Sequence, residues 1–219
     1  MLQANHDYRV VCFGDSTTAP RDNVDIYTDQ LRRLFPEITF INRGVRGEST
    51  SMALKRLETD VLDAAPDIVI IQFGINDAAI DVWKKIPAER PRVALEDYAM
   101  NLRNFVDAIH GKKASAVLMT PNQVRWTPDL VELYGRPPYQ VSEVLGFTFI
   151  LETYATAVRD VATEKHVPLV DIYTLYEEWE CRNAESCSAF LLDGIHPNSS
   201  GHQLVATKLA DIIGSIFRL

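Results

Sequence analysis

The sequence of 219 residues predicts an α/β fold, a three-layer α/β/α sandwich built on a five-stranded parallel sheet. Short apolar runs alternate along the chain with longer segments whose apolar residues recur at helical spacing. Most of the short runs are continuously apolar, which is typical of parallel strands that helices cover on both faces. Right-handed crossovers then place helices in both outer layers. The predicted strands are residues 8–13, 39–42, 68–73, 116–120 and 167–172.

The helical segments lie between these strands and after the last of them. Their apolar residues repeat every three or four positions, so each helix presents one apolar face to the sheet. The pattern Ser200-x-x-Gln203 matches a capping box and predicts the start of the last helix. No repeat, low-complexity tract or linker interrupts the series, so we expect residues 1–219 to form a single domain. The residues that define the helical faces are Leu95, Leu102, Phe105, Val106 and Ile109, then Leu151, Tyr154, Val158 and Val161, then Leu204, Val205, Leu209, Ile212, Ile213 and Ile216.

The chain is acidic, with 30 Asp and Glu residues against 22 Lys and Arg residues and a formal charge of −8 at pH 7. This balance argues against binding to a nucleic-acid backbone or to an anionic membrane surface. No run reaches the ~18 apolar residues that a transmembrane helix needs. The expected partner is therefore a small molecule, and the composition leaves the oligomeric state open.

The start of the chain and its cysteines bear on its location. The first seven residues lack a cationic segment followed by an apolar one, so they do not resemble a signal peptide. A cytoplasmic location is the default expectation, although a secreted protein that had lost its leader would have the same sequence. Cys12 lies in a predicted core strand, whereas Cys181 and Cys187 could pair across a short loop or remain free thiols.

Four short motifs fall at the ends of predicted strands or just before the last helix. Each alone would fit a plain turn, because Gly, Asp, Asn and Ser are common turn formers. In a doubly wound sheet, however, the carboxyl ends of the strands share one edge, so these motifs are expected to meet in one crevice. The motifs are Gly14-Asp15-Ser16 after the first strand, Arg46-Gly47-Glu48-Ser49 after the second, Gly74-Ile75-Asn76-Asp77 after the third, and Asp193-Gly194-Ile195-His196 before the last helix.

Together the motifs supply the groups that ester hydrolysis by a serine requires. The hydroxyl of Ser16 becomes a useful nucleophile only when a base takes its proton, and His196, with a reference pKa near ~6.5, suits that task. Asp193 can accept the proton on the imidazole Nδ1 and so fix the tautomer. The backbone N–H groups of Ser16 and Gly47 and the side-chain amide of Asn76 are the expected donors to the oxyanion.

These motifs resemble those of the SGNH hydrolases, also called GDSL esterases and lipases. The resemblance covers essentially the whole chain, in order and spacing, although Glu48 stands where the family commonly has Asp. It implies a flavodoxin-like fold, no metal or organic cofactor, and hydrolysis of carboxylic esters through an acyl-serine intermediate. It also implies that Ser16 is the nucleophile, Gly47 and Asn76 belong to the oxyanion hole, and Asp193 and His196 are the acid and base.

The one long irregular segment, residues 120–147, is rich in proline and aromatic residues. Irregular segments of this length are commonly functional loops or lids. It begins at the end of the fourth predicted strand, beside the same sheet edge as the motifs. Its aromatic residues could stack on a sugar or shape an acyl pocket, or they could pin the loop to the core. The predicted substrate-binding residues are Asn122, Trp126, Tyr134 and Tyr139.

Other polar residues have plainer interpretations. His202, in the first turn of the last helix, is expected to face solvent. Asp77 is expected to organise the loop after the third strand. Arg43 and Arg46 flank the second motif and could meet an anionic substrate or pair with surface acids. No residue set has the spacing of a calcium or zinc site, and one acidic cluster suits a solvated helix face instead. That cluster is Asp22, Asp25 and Asp29.

Three functions are compatible with the sequence. The favoured hypothesis is a serine esterase that removes a short acyl group, such as acetyl, from a carbohydrate or another small polar molecule. A lipid-directed enzyme, either a lysophospholipase or an acyl-CoA thioesterase, would use the same catalytic groups. A protein that binds esters or glycans without hydrolysing them is a remote alternative, because it would not need a nucleophile, a base and an oxyanion hole together.

Overall fold

The computed structural model describes residues 6–143, 149–183 and 186–218. Residues 1–5, and residues 144–147 of the predicted irregular segment, lie outside these ranges. Five strands form one parallel sheet in the order β2-β1-β3-β4-β5, which confirms the predicted fold class. The strands are β1 (Arg9–Gly14), β2 (Thr39–Gly44), β3 (Ile68–Gln72), β4 (Ser115–Met119) and β5 (Leu169–Val170).

Helices connect the strands and end the described chain. Two of them, α2 and α3, are single turns. Between α2 and β3 the chain passes through short 3₁₀ and π turns at Leu54–Arg56, Leu57–Val61 and Leu62–Ala64, and another 3₁₀ turn lies at Cys187–Phe190. The helices are α1 (Tyr27–Leu34), α2 (Thr50–Ala53), α3 (Ile75–Ala78), α4 (Leu95–Gly111), α5 (Pro128–Tyr134), α6 (Leu151–Lys165), α7 (Ile172–Asn183) and α8 (Ser199–Phe217).

The sheet separates two apolar layers. Along β1, Val11 and Phe13 belong to one layer and Val10 and Cys12 to the other. Helices α2, α4 and α6 contribute to the first layer, and α1, α7 and α8 to the second. Burial on both faces explains why the central strands are continuously apolar rather than alternating.

The strand order brings the loops that carry the motifs together. Within the sheet, β2 lies next to β1 on one side, and the chain then crosses over to β3, which lies next to β1 on the other side. In such sheets a crevice opens beyond the carboxyl ends of the strands where the order reverses, here between β1 and β3. The loops after β1, β2 and β3 therefore surround one crevice.

The fifth strand is shorter than predicted. Only Leu169–Val170 pairs with β4, and Ile172 already begins α7. The reason is Asp171, whose carboxylate accepts hydrogen bonds from the backbone N–H and the hydroxyl of Thr174 over 3.2 and 3.0 Å. This is the bonding of a helix N-cap. It starts a helix where the apolar pattern alone predicted more strand.

The last helix also begins differently from the prediction. Asn198, not Ser200, is the N-cap, because its side-chain oxygen accepts from the backbone N–H groups of Ser200 and Gly201, each over 3.0 Å. The prediction that His202 faces solvent is wrong, since only 3% of it is exposed. With Val205, Leu209 and Ile213 it forms one buried stripe at helical spacing, beside Tyr27 of α1. Burial, with a smaller contribution from the charge of Arg21, lowers the pKa of His202 to about 4.

His202 is expected to make the stability of the fold depend on pH. The folded protein keeps this imidazole neutral down to about pH 4, whereas the unfolded chain binds a proton below its ordinary pKa of ~6.5. Stability is thus fully present above pH ~6.5 and falls as the pH approaches 4, by up to roughly 3 kcal/mol. Urea unfolding at pH 7 and pH 5 measures the loss. It should be ~2 kcal/mol smaller for His202→Gln, which cannot titrate, and equal losses would contradict this account.

The structure also shows the state of the cysteines and whether a described helix could span a membrane. Cys12, Cys181 and Cys187 are all free thiols, and only Cys181 is exposed. None of the helices in the described ranges combines the length and apolar character needed to cross a bilayer.

Candidate active site

Three side chains that the sequence assigned to one site meet beyond the carboxyl end of β1. Ser16 follows β1, whereas Asp193 and His196 lie in the loop before α8. The Oγ of Ser16 is 2.9 Å from Nε2 of His196. Nδ1 of the same imidazole is 2.7 Å from Oδ2 of Asp193. A hydroxyl, an imidazole and a carboxylate are therefore joined in one hydrogen-bonded chain.

The carboxylate of Asp193 sets the state of the imidazole. Its Oδ1 also accepts from the backbone N–H groups of Ile195 and His196 over 3.1 and 2.8 Å. Burial raises the pKa of Asp193, but these hydrogen bonds and the charge of His196 outweigh it and hold the pKa well below its usual value. Because an ionised carboxylate only accepts, Nδ1 carries the proton and Nε2 accepts from the Ser16 hydroxyl. This is the tautomer that a general base needs.

The loop that carries the acid and the base depends on a glycine. Gly194 has a φ of +84°, and a Cβ there would lie 2.3 Å from the carbonyl oxygen of Arg125. Only glycine fits this turn without strain. The segment after β4 supports the loop from behind, because the N–H of Arg125 donates to the Gly194 carbonyl over 2.8 Å. Nδ2 of Asn122 likewise donates to the Ile195 carbonyl over 2.8 Å.

Two backbone N–H groups are available to a ligand in the cleft. Gly47 has a φ of +76°, a conformation that glycine adopts without strain, and a Cβ there would meet no atom within 4 Å. Both Gly47 and Ser16 line the cleft. Within the described ranges, neither of their N–H groups has an intramolecular hydrogen bond. Unpaired donors beside a nucleophile are what a developing oxyanion requires.

The side-chain amide of Asn76 is held in one orientation. Nδ2 donates to Oδ2 of Asp15 over 3.2 Å, and Oδ1 accepts from Nη1 of Arg92 over 3.0 Å. Arg92 is anchored in turn by Asp81, whose Oδ1 accepts from Nε and Nη2 over 2.9 and 2.7 Å. Because a guanidinium only donates, the amide cannot be reversed, and the second N–H of Nδ2 remains for a ligand.

The residues that hold this amide were not among the predicted site residues. Asp15 is buried next to Ser16 in the chain, and its Oδ1 accepts from the N–H and hydroxyl of Thr17, each over 2.8 Å. Burial raises the pKa of Asp15 despite these hydrogen bonds. Its place inside the first motif was the available signal. Asp81 and Arg92 lie in the irregular stretch between α3 and α4, where neither a motif nor a periodicity identifies them.

Asp77 organises the loop after β3, as expected. Its Oδ1 accepts from the backbone N–H of Thr50 over 2.9 Å and from the Thr50 hydroxyl over 2.5 Å. Burial raises the pKa of Asp77 to about 6, against the lowering effect of these hydrogen bonds. The contact ties the Asn76 loop to the start of α2, just beyond Gly47. It thereby fixes the distance between two of the candidate oxyanion donors.

An open cleft of about 370 Å³ contains the candidate groups. Such a volume lies within the range of small-molecule sites. Its lining combines three arginines and several polar groups with apolar side chains. The lining residues are Ser16, Arg21, Arg46, Gly47, Ile75, Asn76, Ala79, Arg92, Tyr134, Ile195 and His196.

Of the four predicted substrate-binding residues, the structure brings only Tyr134 to the cleft lining. Asn122 is completely buried and supports the loop before α8. Tyr139 is also buried, and its hydroxyl accepts from the N–H of Ile80 over 2.7 Å. Nε1 of Trp126 donates to the Gln140 carbonyl over 3.3 Å, and its ring packs edge-on against Tyr139. These three side chains therefore bond to or pack against other parts of the protein and are not among the residues that line the cleft.

Two of the three acids in the predicted acidic cluster form ion pairs. Asp25 pairs with Arg33 and Asp29 with Arg32. In the part of the chain that the structure describes, no group of three or more His, Cys, Asp or Glu side chains could hold a metal ion.

The chain is similar in sequence to a known protein family and to named esterases. Residues 12–204 match the model of the GDSL-like lipase/acylhydrolase family. An acetylxylan esterase of Geobacillus stearothermophilus is 28% identical, over 84% of this chain and 77% of that protein. The human isoamyl acetate-hydrolyzing esterase 1 homolog is 27% identical, over 94% of this chain and 81% of its own.

A solved structure extends the similarity to three dimensions. The lipase/acylhydrolase from Enterococcus faecalis superposes with a TM-score of 0.73 and 25% identity, over 95% of this chain and 96% of that one. The chain belongs to the GDSL-like lipase/acylhydrolase family, whose motifs its sequence resembles.

Proposed function

We propose that this carboxylic ester hydrolase removes short acyl groups, acetyl first among them, from a carbohydrate or another small polar alcohol. Ser16 is the nucleophile, His196 the general base and acid, and Asp193 the residue that orients the imidazole. The N–H groups of Ser16 and Gly47 and Nδ2 of Asn76 bind the oxyanion. The observation that carries the proposal is the continuous hydrogen-bonded chain from Ser16 Oγ through His196 to Asp193 at the cleft.

In the first half of the reaction, Nε2 of His196 takes the hydroxyl proton as Oγ of Ser16 bonds to the ester carbonyl carbon. The carbonyl oxygen becomes an oxyanion, and the three donors stabilise it more strongly than they stabilise the neutral carbonyl. Asp193 stabilises the imidazolium that forms. The bond between the carbonyl carbon and the alcohol oxygen then breaks, and His196 gives its proton to the departing alkoxide. The alcohol leaves, and an acyl-serine remains.

In the second half, water replaces the alcohol. Nε2 of His196 takes a proton from the water, whose oxygen attacks the acyl carbon through a second oxyanion in the same donors. The bond to Oγ breaks, the proton returns to Ser16, and the carboxylic acid is released. Over the whole cycle the ester and one water are consumed, the alcohol and the carboxylic acid are released, and Ser16 and His196 return to their starting states.

A short acyl group is favoured by two observations. The acetylxylan esterase and the isoamyl acetate-hydrolyzing esterase homolog are named for different alcohols but for the same acyl group, acetate. The cleft lining interrupts its apolar residues Ile75, Ala79 and Tyr134 with charged and polar ones. A long alkyl chain would have to lie across these groups and would not bury its methylenes efficiently.

The acyl-chain profile tests this choice. On p-nitrophenyl esters, kcat/KM is expected to be highest from acetyl to butyryl and to fall beyond. An aliphatic groove would instead add ~0.8 kcal/mol of binding for each buried CH₂, and rates would climb with length. A steady rise through decanoyl would contradict the proposal and favour a lysophospholipase or an acyl-CoA thioesterase. A folded protein without activity on any ester would favour a binding protein.

A further inference from the structure

Two arginine side chains line the cleft beside the proposed nucleophile. Arg21 lies on the loop that carries Ser16 away from β1, and Arg46 directly precedes Gly47 on the loop after β2. Nη2 of Arg46 donates to the carbonyl oxygen of Pro20 over 3.0 Å. Because Pro20 is the residue before Arg21, this hydrogen bond joins the two loops and brings two guanidinium groups to one cleft.

In the part of the chain that the structure describes, neither guanidinium group donates a hydrogen bond to a carboxylate. Within the ranges that the structure describes, Arg46 forms no ion pair, and the neighbouring acid Glu48 is buried against Arg56 instead. The nearest carboxylate recorded for Arg21 is that of Asp193, 3.9 Å from Nη1, which is longer than a hydrogen bond. That carboxylate already accepts three closer hydrogen bonds. The alternative that Arg46 pairs with a surface acid is therefore not what the structure contains.

Arg92, the third arginine of the lining, differs from these two. Asp81, which also pairs with Lys84, accepts two of its hydrogen bonds and Asn76 a third, so the donors of Arg92 are engaged within the protein. Within the described ranges, Arg46 forms no ion pair and Arg21 forms only the long one to Asp193, so these two guanidinium groups keep N–H donors for an anion. In a chain of net charge −8, a local positive site of this kind attracts anions selectively to the cleft.

We propose that the cleft selects esters whose alcohol part carries an anionic group, a carboxylate or a phosphate, which Arg21 and Arg46 bind. The proposal rests on the proposed function, because an acetyl group has no charge and the anion must then belong to the alcohol. Guanidinium groups bind both kinds of anion through paired N–H···O hydrogen bonds, with a geometry that a neutral hydroxyl does not match. The substrate class is an acetylated acidic sugar or an acetylated sugar phosphate.

The test compares three esters with the acetyl group at the same position: a methyl glucoside, the corresponding methyl glucuronide, and the methyl glucoside 6-phosphate. The wild-type enzyme is expected to show a kcat/KM about tenfold higher for one or both charged esters at low ionic strength. Most of this advantage should disappear in ~0.5 M NaCl, which screens exposed charges. Preference for the glucuronide identifies a carboxylate as the natural anion, and preference for the phosphate identifies a phosphoryl group.

Two variants and one control locate the effect. Arg46→Gln is expected to reduce the charged-to-neutral ratio of kcat/KM about tenfold, mainly through KM, and the Arg21→Gln/Arg46→Gln double variant to abolish it. Arg43→Gln is the matched control, because Arg43 donates to the Asp60 carbonyl, outside the cleft lining, and its ratio should equal that of the wild type.

Equal wild-type rates on all three esters would overturn the proposal while leaving the proposed function intact. So would variants that slow the neutral and charged esters equally, since the arginines would then act on the reaction and not on the substrate's charge. If the wild-type enzyme hydrolyses none of the three esters and does not hydrolyse p-nitrophenyl acetate either, the proposed function is overturned and this proposal with it.

Discussion

Ser16→Ala is expected to lower kcat on p-nitrophenyl acetate by at least ~10⁴, and His196→Ala by a similar factor. In the proposed mechanism the two residues act as one unit, because the hydroxyl lies 2.9 Å from Nε2, the nitrogen that would take its proton. The double variant should therefore be little worse than either single variant. Steady-state kinetics on purified proteins, with thermal unfolding to verify the fold, make this measurement.

The same experiment should also compare the loss of kcat caused by Asp193→Ala with the loss caused by His196→Ala. Its carboxylate orients the imidazole and stabilises the imidazolium but forms no bond to the substrate, so Asp193→Ala should cost less than His196→Ala. Ser215→Ala, an exposed change in α8, should leave kcat unchanged. A Ser16→Ala variant that kept most of its turnover would contradict the assignment of the nucleophile. Losses that add in the double variant would show that the two residues act separately.

Asn76→Ala is expected to lower kcat by ~10²–10³ with a much smaller change in KM. Its amide is already held by Asp15 and Arg92, so the donor needs no reorganisation when the oxyanion forms. A preorganised donor acts mainly on the transition state, which is why the effect belongs to kcat. Kinetics on one neutral acetate ester separate the two parameters.

The matched control for this variant is Asn104→Ala, which removes an exposed amide from α4. It should leave both kcat and KM at their wild-type values. If Asn76→Ala raised KM and left kcat unchanged, the amide would bind the ground state and would not be an oxyanion donor.

The sheet and the four motifs were predictable because their signals are local. Each central strand is a continuous apolar run, and each motif lies directly after a strand or before α8, so the parallel topology brings distant residues together. The meeting of Ser16 and His196 follows from that topology. Hydrogen bonds such as those of Asp171 could not be anticipated, because an apolar pattern does not show where a cap will end a strand.

The misassigned residues depend on contacts between elements. His202 is polar in the sequence, yet the stripe it shares with Val205 and Leu209 buries it. Asn122 and Tyr139 have polar groups suited to a substrate, yet backbone groups of neighbouring loops engage them. The chemical groups of a side chain indicate which partners it can bond to, whereas tertiary packing decides whether that partner is the substrate or another part of the protein.

Covalent labelling with a fluorophosphonate tests the central claim, a serine nucleophile activated by His196, most directly. The reagent phosphonylates a hydroxyl only when a base and an oxyanion site activate it. Peptide mapping by mass spectrometry is expected to find one label, on Ser16, with loss of esterase activity in proportion to labelling. Labelling should be absent from Ser16→Ala and strongly slowed in His196→Ala. An active enzyme that remains unlabelled, or a label on another residue that accounts for the lost activity, would contradict the account.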